Sequence, residues 1–103
     1  MIPLSAMIDR DRRLALLRFL RDQDDGHCLS LSLMTLALGQ IMRRVYRDTV
    51  EADFVLLEQL GLLSIERHPL PDGEMVVATA TQLGLDVANG RPHPQFPARR
   101  PKE

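Results

Sequence analysis

The 103-residue chain has one cysteine, Cys28, so it can form no internal disulfide, a usage that suits a reducing compartment. No apolar run approaches the roughly 18 residues of a membrane span. Nor is there the shape of a signal peptide. Residues 1–7 are too short for an apolar h-region, and Asp9-Arg10-Asp11-Arg12-Arg13 follows at once. A cytoplasmic location, without membrane contact, is the expectation. Net charge is also scarce: at −1, the chain lacks the basic surplus that commonly marks a nucleic-acid partner. Signatures of catalysis are missing too, with no Gly-rich phosphate loop, no H-E-x-x-H and no nucleophile elbow. His27 and Cys28 are adjacent, and adjacent side chains rarely face each other as a nucleophilic pair. His68 and His93 lie far from them, which leaves too few donors for a closed zinc site of four ligands. Asp22, Asp24 and Asp25 lack the spacing and the following glutamate of a calcium loop, so they read as a solvated turn. The expectation is a protein with no enzymatic activity, metal or cofactor.

What is present is amphipathic pattern sufficient for one domain. Hydrophobic residues make up 45% and charged residues 26%, ordinary values for a globular protein. The spacing predicts a first helix over residues 5–23, with Leu16, Leu17 and Leu20 on one arc and Leu14 and Phe19 flanking it. Asp9, Arg10, Asp11, Arg12, Arg18 and Arg21 take the rest of the surface. Arg13 projects near the apolar arc, where its stem can pack while its head reaches water or an acid. Residues 22–27 are a charged break, and Gly26 fits a turn.

Residues 29–42 contain no charge at all. Ser30 or Ser32 can cap a second helix by accepting a free amide of its first turn. Leu33, Leu36, Ala37 and Ile41 form one stripe on it; Leu31, Met34, Leu38 and Met42 form another. A short helix that is apolar nearly all round is usually buried on more than one side. The stripe Leu31, Met34, Leu38 and Met42 is expected to meet a second subunit in a homodimer, the alternative being cover from the first helix or the tail.

After the basic turn Arg43-Arg44, a third helix starts near Tyr46 or Arg47. It lays Val50, Phe54, Leu57 and Leu60 on the core, widened by Leu56. Gly61 can stop it in the left-handed region, and Leu63 and Ile65 then alternate with Ser64 and Glu66. The expected hairpin has strands near residues 62–67 and 74–79. Its turn falls at Pro71-Asp72-Gly73, and two prolines across residues 68–73 exclude a regular ladder there. Thr79 or Thr81 caps a short fourth helix that ends at Asn89-Gly90. The domain is expected to span residues 1–90. Residues 91–103 form a tail with four prolines and a charge of +3, which leaves about −4 on the remainder. If any of that tail packs, Phe96 is the residue that would dock.

The expected fold is therefore mainly α with some β: three helices, a two-stranded wing and a short C-terminal helix. That order resembles the winged helix-turn-helix regulators of the ArsR and MarR type, and most of all the small ArsR-like regulators of Mu-like prophages. The residues that carry the likeness are Arg12-Arg13-Leu14 with Leu16-Leu17-Arg18-Phe19-Leu20, then Arg47-Asp48-Thr49-Val50 with Leu57-Glu58-Gln59-Leu60-Gly61-Leu62. The third motif runs from Thr81 through Gln82-Leu83-Gly84-Leu85-Asp86-Val87-Ala88-Asn89-Gly90 to Arg91. Together they span most of residues 8–91. The resemblance implies a DNA-binding transcriptional regulator of prophage type. The chain departs from the pattern in its unusually apolar second helix and in lacking the paired cysteines of metal-sensing members.

In such a fold the third helix enters the major groove with its N-terminal residues near base edges. The expected DNA-binding residues are Arg43, Arg44, Tyr46 and Arg47 at the mouth of that helix, with Gln59 and Arg67. The outward face of the helix, Arg47, Asp48, Glu51, Val55, Glu58 and Gln59, sums to −2, which phosphates repel. Asp48 and Glu51 also suit the positive end of the helix dipole. The alternative expectation is a winged helix that binds a protein partner, through its apolar second or acidic third helix, and not DNA.

Overall fold

The computed structural model describes residues 3–96. Its elements in order are α1 (Leu4–Arg21), β1 (Cys28–Ser30), α2 (Leu31–Ile41), α3 (Arg47–Gln59), β2 (Leu63–Leu70), β3 (Gly73–Ala80) and α4 (Gln82–Ala88). Each boundary has a local cause. Gly26 and His27 take positive φ, +82° and +53°, and reverse the chain after α1. Ser30 ends β1 and also caps α2, its Oγ accepting the Leu33 amide at 3.2 Å. At the far end of α3, Gly61 adopts φ +78°. The Leu62 amide there reaches back to the Leu57 carbonyl at 2.9 Å, and the Gly61 amide to that of Glu58 at 3.0 Å, a Schellman stop. Thr81, the second of the two expected caps, accepts the Gly84 amide at 3.1 Å and starts α4.

The protein is an α+β domain with four helices and a three-stranded antiparallel sheet in the order β1-β3-β2. Two strands were expected. The third, β1, is three residues long, too short to show alternation, and its last residue carries a helix-cap signal. It pairs Cys28 with Thr79, Leu29 with Ala78 and Ser30 with Val77. The hairpin is also longer than the prolines implied: its ladder runs without a break from Leu63↔Ala80 to Leu70↔Gly73. Pro69 is tolerated because β2 is an edge strand, where a missing amide need cost no ladder bond. Only Pro71 and Asp72 remain as the turn.

The core is built from Leu16, Leu17 and Leu20 of α1, Val50, Phe54 and Leu57 of α3, and inward residues of β3 and α4. From α2 it takes Leu31, Met34 and Leu38, each at most 1% exposed. The stripe expected to meet a second subunit is thus the one that closes the core of its own chain, and Met42 is half-buried behind it. The other stripe faces outward. Gly84 is required for the close fit of α4: a Cβ there would lie 1.9 Å from the Leu62 carbonyl oxygen.

One acid interrupts the apolar stripe of α3. Asp53 is fully buried, and Arg12, expected among the surface charges, is 7% exposed. The Arg12 guanidinium grips the Asp53 carboxylate with two nitrogens, Nε on Oδ2 and Nη2 on Oδ1, the latter at 3.0 Å. Arg13 Nε adds a third bond to Oδ1 at 2.9 Å, so of the two partners open to its head, water or an acid, it takes the acid. Asp9 accepts the remaining Arg12 contact at 3.0 Å. The Asp53 hydrogen bond, above all, holds the Arg12 pKa above its ordinary value against the opposing effect of burial.

Two outcomes follow from this packing. Asp53→Ala strands a buried guanidinium, and denaturant unfolding should show a loss of about 3–5 kcal/mol. The double substitution Arg12→Met with Asp53→Leu should recover most of it, because the uncompensated charge is gone. Gly84→Ala drives a methyl into backbone and should cost about 3 kcal/mol or more, read in the same experiment.

Candidate nucleic-acid interface

The five residues between α2 and α3, Met42 to Tyr46, are arranged by their one anchored side chain. Val45 packs against the core, so Arg43, Arg44 and Tyr46 on either side of it are exposed. Arg44 sits at φ +58°, a conformation that costs a non-glycine residue about 1–2 kcal/mol and turns the chain into α3. Tyr46 is the extended residue just before the helix and is 60% exposed. Arg47 opens the first turn of α3, where its Nη1 donates to Ser32 Oγ of α2 at 2.6 Å. Arg43, Arg44, Tyr46 and Arg47 therefore line the connection into α3 and its first turn, with the Arg47 guanidinium directed to the start of α2. Among the described residues none of the three arginines has an acidic partner.

Gln59 and Arg67 do not join that set. Gln59 is the last residue of α3, about 18 Å along the axis from Arg47 at 1.5 Å per residue. Arg67, on β2, is held between Glu51 Oε2 at 3.1 Å and Glu74 Oε1 at 2.9 Å. These bonds, that to Glu51 first, hold its pKa above the ordinary arginine value. The acids on the outward face of α3 are correspondingly engaged. Glu51 is matched by Arg67, and Glu58 Oε2 accepts the Ile65 amide at 2.9 Å, tying α3 to β2. At the mouth of the helix three arginines stand against Asp48 alone, a local charge of +2. Summing the helix face to −2 missed this, because the sum includes acids that have partners and leaves out the turn.

The remaining candidates are dispersed. Cys28 Sγ donates to the Asp25 carbonyl at 3.6 Å, and His27 Nδ1 contacts the Arg21 carbonyl at 3.0 Å, so the two neighbours engage different groups. Residues 91–96 do not leave the domain at Gly90 as expected. Arg91 meets Asp86 at 3.4 Å, and His93 and Phe96 exchange backbone hydrogen bonds around a tight turn. Phe96, 5% exposed, docks as the tail's apolar residue and borders a 240 Å³ cleft with Ala6, Arg10, Leu56 and Leu60. The rest of the tail, residues 97–103, which carries most of its expected charge, lies outside the described residues.

Asp53 and Arg12, which set the pose of α3, escaped the sequence reading. The available signal was an acid on an apolar stripe in a chain that also carries an arginine pair beside another. Among the described residues no helix is long and apolar enough to cross a membrane. No family model, curated protein or solved structure matches the chain.

Phe96→Ala should lower stability by about 3 kcal/mol, near the lower bound for deleting a buried phenylalanine, and ending the chain at Gly90 should cost at least as much. Thermal melts of the two variants check this.

Proposed function

We propose that the chain is a winged helix acting as a cytoplasmic, DNA-binding transcriptional regulator. The fold supports this reading: α1, β1, α2, α3 and a β2–β3 hairpin occur in that order, with β1 closing on β3 beside the two central helices. The observation that carries the function is the set Arg43, Arg44, Tyr46 and Arg47, exposed at the N-terminal end of α3, whose arginines have no acidic partner among the described residues. In a winged helix that end meets the duplex first, and phosphate contacts around it fix the register of the helix. Arg43 and Arg44 supply the phosphate contacts. Arg47, steadied by Ser32, is placed for a base edge, where a guanidinium can grip guanine with two hydrogen bonds. Arg67 contributes little while Glu51 and Glu74 neutralise it, and Gln59 reads at most the far edge of the site.

Duplex binding followed by fluorescence anisotropy tests this. Arg43→Ala and Arg44→Gly should each weaken binding across all sequences, whereas Arg47→Ala should weaken binding to the preferred sequence most and relax the preference at the base it reads. The slope of log K against log salt should drop by about 0.9 for each phosphate contact removed. Glycine is chosen at position 44 because it removes the charge and relieves the positive φ together. Wild-type protein that binds no duplex at low salt overturns the assignment.

A further inference from the structure

DNA binding leaves the outer face of α2 unused. Leu33, Leu36 and Ile41 are 54%, 63% and 59% exposed; Leu33 and Leu36 lie on the side of the helix away from Leu31, Met34 and Leu38, and Ile41 is exposed as its last residue. No charge falls anywhere in residues 29–42, so nothing polar enough to repel an apolar partner interrupts the stripe. Its position relative to the arginines is fixed. Arg47 bonds Ser32 at 2.6 Å, one helical turn before Leu36, while Ile41 leads directly into Arg43 and Arg44. Arginines without an acidic partner among the described residues therefore mark both ends of an aliphatic strip about 12 Å long, or a little over two helical turns.

A duplex satisfies only half of this surface. Phosphates match the guanidinium groups, but a groove offers three aliphatic side chains little beyond thymine methyls. A peptide helix with apolar residues on one face and carboxylates beside them matches both, in the helix-in-groove mode. On the described helices of a second copy, Glu51, Glu58 and Asp9 are already engaged by Arg67, the Ile65 amide and Arg12, and Asp48 stands among that copy's own arginines, so they offer little to match Arg43, Arg44 and Arg47.

We propose that the α2–α3 face docks an acidic amphipathic helix of a partner protein. The partner's apolar anchors lie on Leu33, Leu36 and Ile41, and its carboxylates meet Arg43, Arg44 and Arg47. Because these are the arginines assigned to DNA, the bound helix and the duplex exclude each other. The exclusion rests on the DNA reading; the docking does not.

The probe is a fluorescein-labelled helical peptide of leucine and glutamate, with leucines at i, i+3, i+4 and i+7. Two control peptides replace either the leucines by serine or the glutamates by lysine. The wild-type chain should bind the first peptide and neither control. Leu36→Glu, an exposed site that leaves the core intact, should weaken binding by at least about tenfold, and Arg43→Ala should weaken it in a salt-sensitive way. The peptide should also displace labelled duplex. Equal binding of the serine control, or no effect of Leu36→Glu, overturns the proposal. So does self-association of the wild type that Leu36→Glu abolishes, which would assign the stripe to a second copy. Peptide binding without any duplex binding refutes the DNA reading and leaves the docking intact. Duplex binding that the peptide cannot displace refutes the exclusion.

Discussion

A carboxylate without solvent at the middle of α3 constrains the presentation of everything else on that helix. Two arginines of α1 reach Asp53 with three hydrogen bonds, which offset the cost of burying a polar group there. Those bonds fix the helix in rotation, since any turn about its axis would pull the acid from its partners. At 100° per residue, Asp48, Glu51, Val55 and Glu58 then lie on the side opposite Asp53, and they are its outward residues. An apolar residue at position 53 would hold the helix on the core with less rotational definition, because hydrophobic contact is not directional. The buried charge thus links packing to presentation. It positions α3 without touching anything that α3 would bind.

The β2–β3 hairpin is set by a second constraint at the other end of the same helix. The Schellman stop at Gly61 sends Leu62 back beneath α3, and Thr81 closes the loop from the far side of the hairpin. Thr81 Oγ1 donates to the Gly61 carbonyl at 2.6 Å and its amide to the Leu62 carbonyl at 3.1 Å. Gly84 then allows α4 to lie directly on that backbone. The base of the hairpin is clamped between α3 and α4, Val76 and the Arg67–Glu51 pair hold its middle, and the tip beyond them, with Leu70 and Met75 exposed, has mainly its own ladder. Local stability should fall along the hairpin from base to tip, since buried contacts rather than ladder bonds resist opening.

Periodicity alone made most of this architecture legible. The three long helices, the Gly61 stop, the hairpin and the Thr81 cap all rest on signals within a few residues of one another, and such signals survive without tertiary context. What was hidden depends on partners distant in sequence. Strand β1 exists only because β3 lies beside it. Pro69 is acceptable only because β2 is an edge. The two faces of α2 are equally apolar, and the sequence cannot say which one α1 and α3 cover. Choosing Leu31, Met34 and Leu38 as the outer face reversed the inside and outside of that helix. The same limit affected the charges: Glu51 and Glu58 count as repulsive on a helix wheel, yet Arg67 and a β2 amide engage both.

The corrected orientation of α2 changes what the surface beside α3 can recognise. With Leu31, Met34 and Leu38 inward, the uncharged helix presents leucine and isoleucine where a DNA reader usually offers polar groups to the backbone. The cations are confined to the connection and the first turn of α3, and Val45, packed against the core, leaves them facing outward. The surface is therefore amphipathic, with arginine at both ends and aliphatic carbon between. Electrostatics sets how fast and how widely such a face associates, because charge acts at a distance and salt screens it. Aliphatic contact acts only on touching, so it sets which of the captured molecules stays. A polyanion with no apolar side chains engages the first property alone, whereas an acidic amphipathic helix engages both.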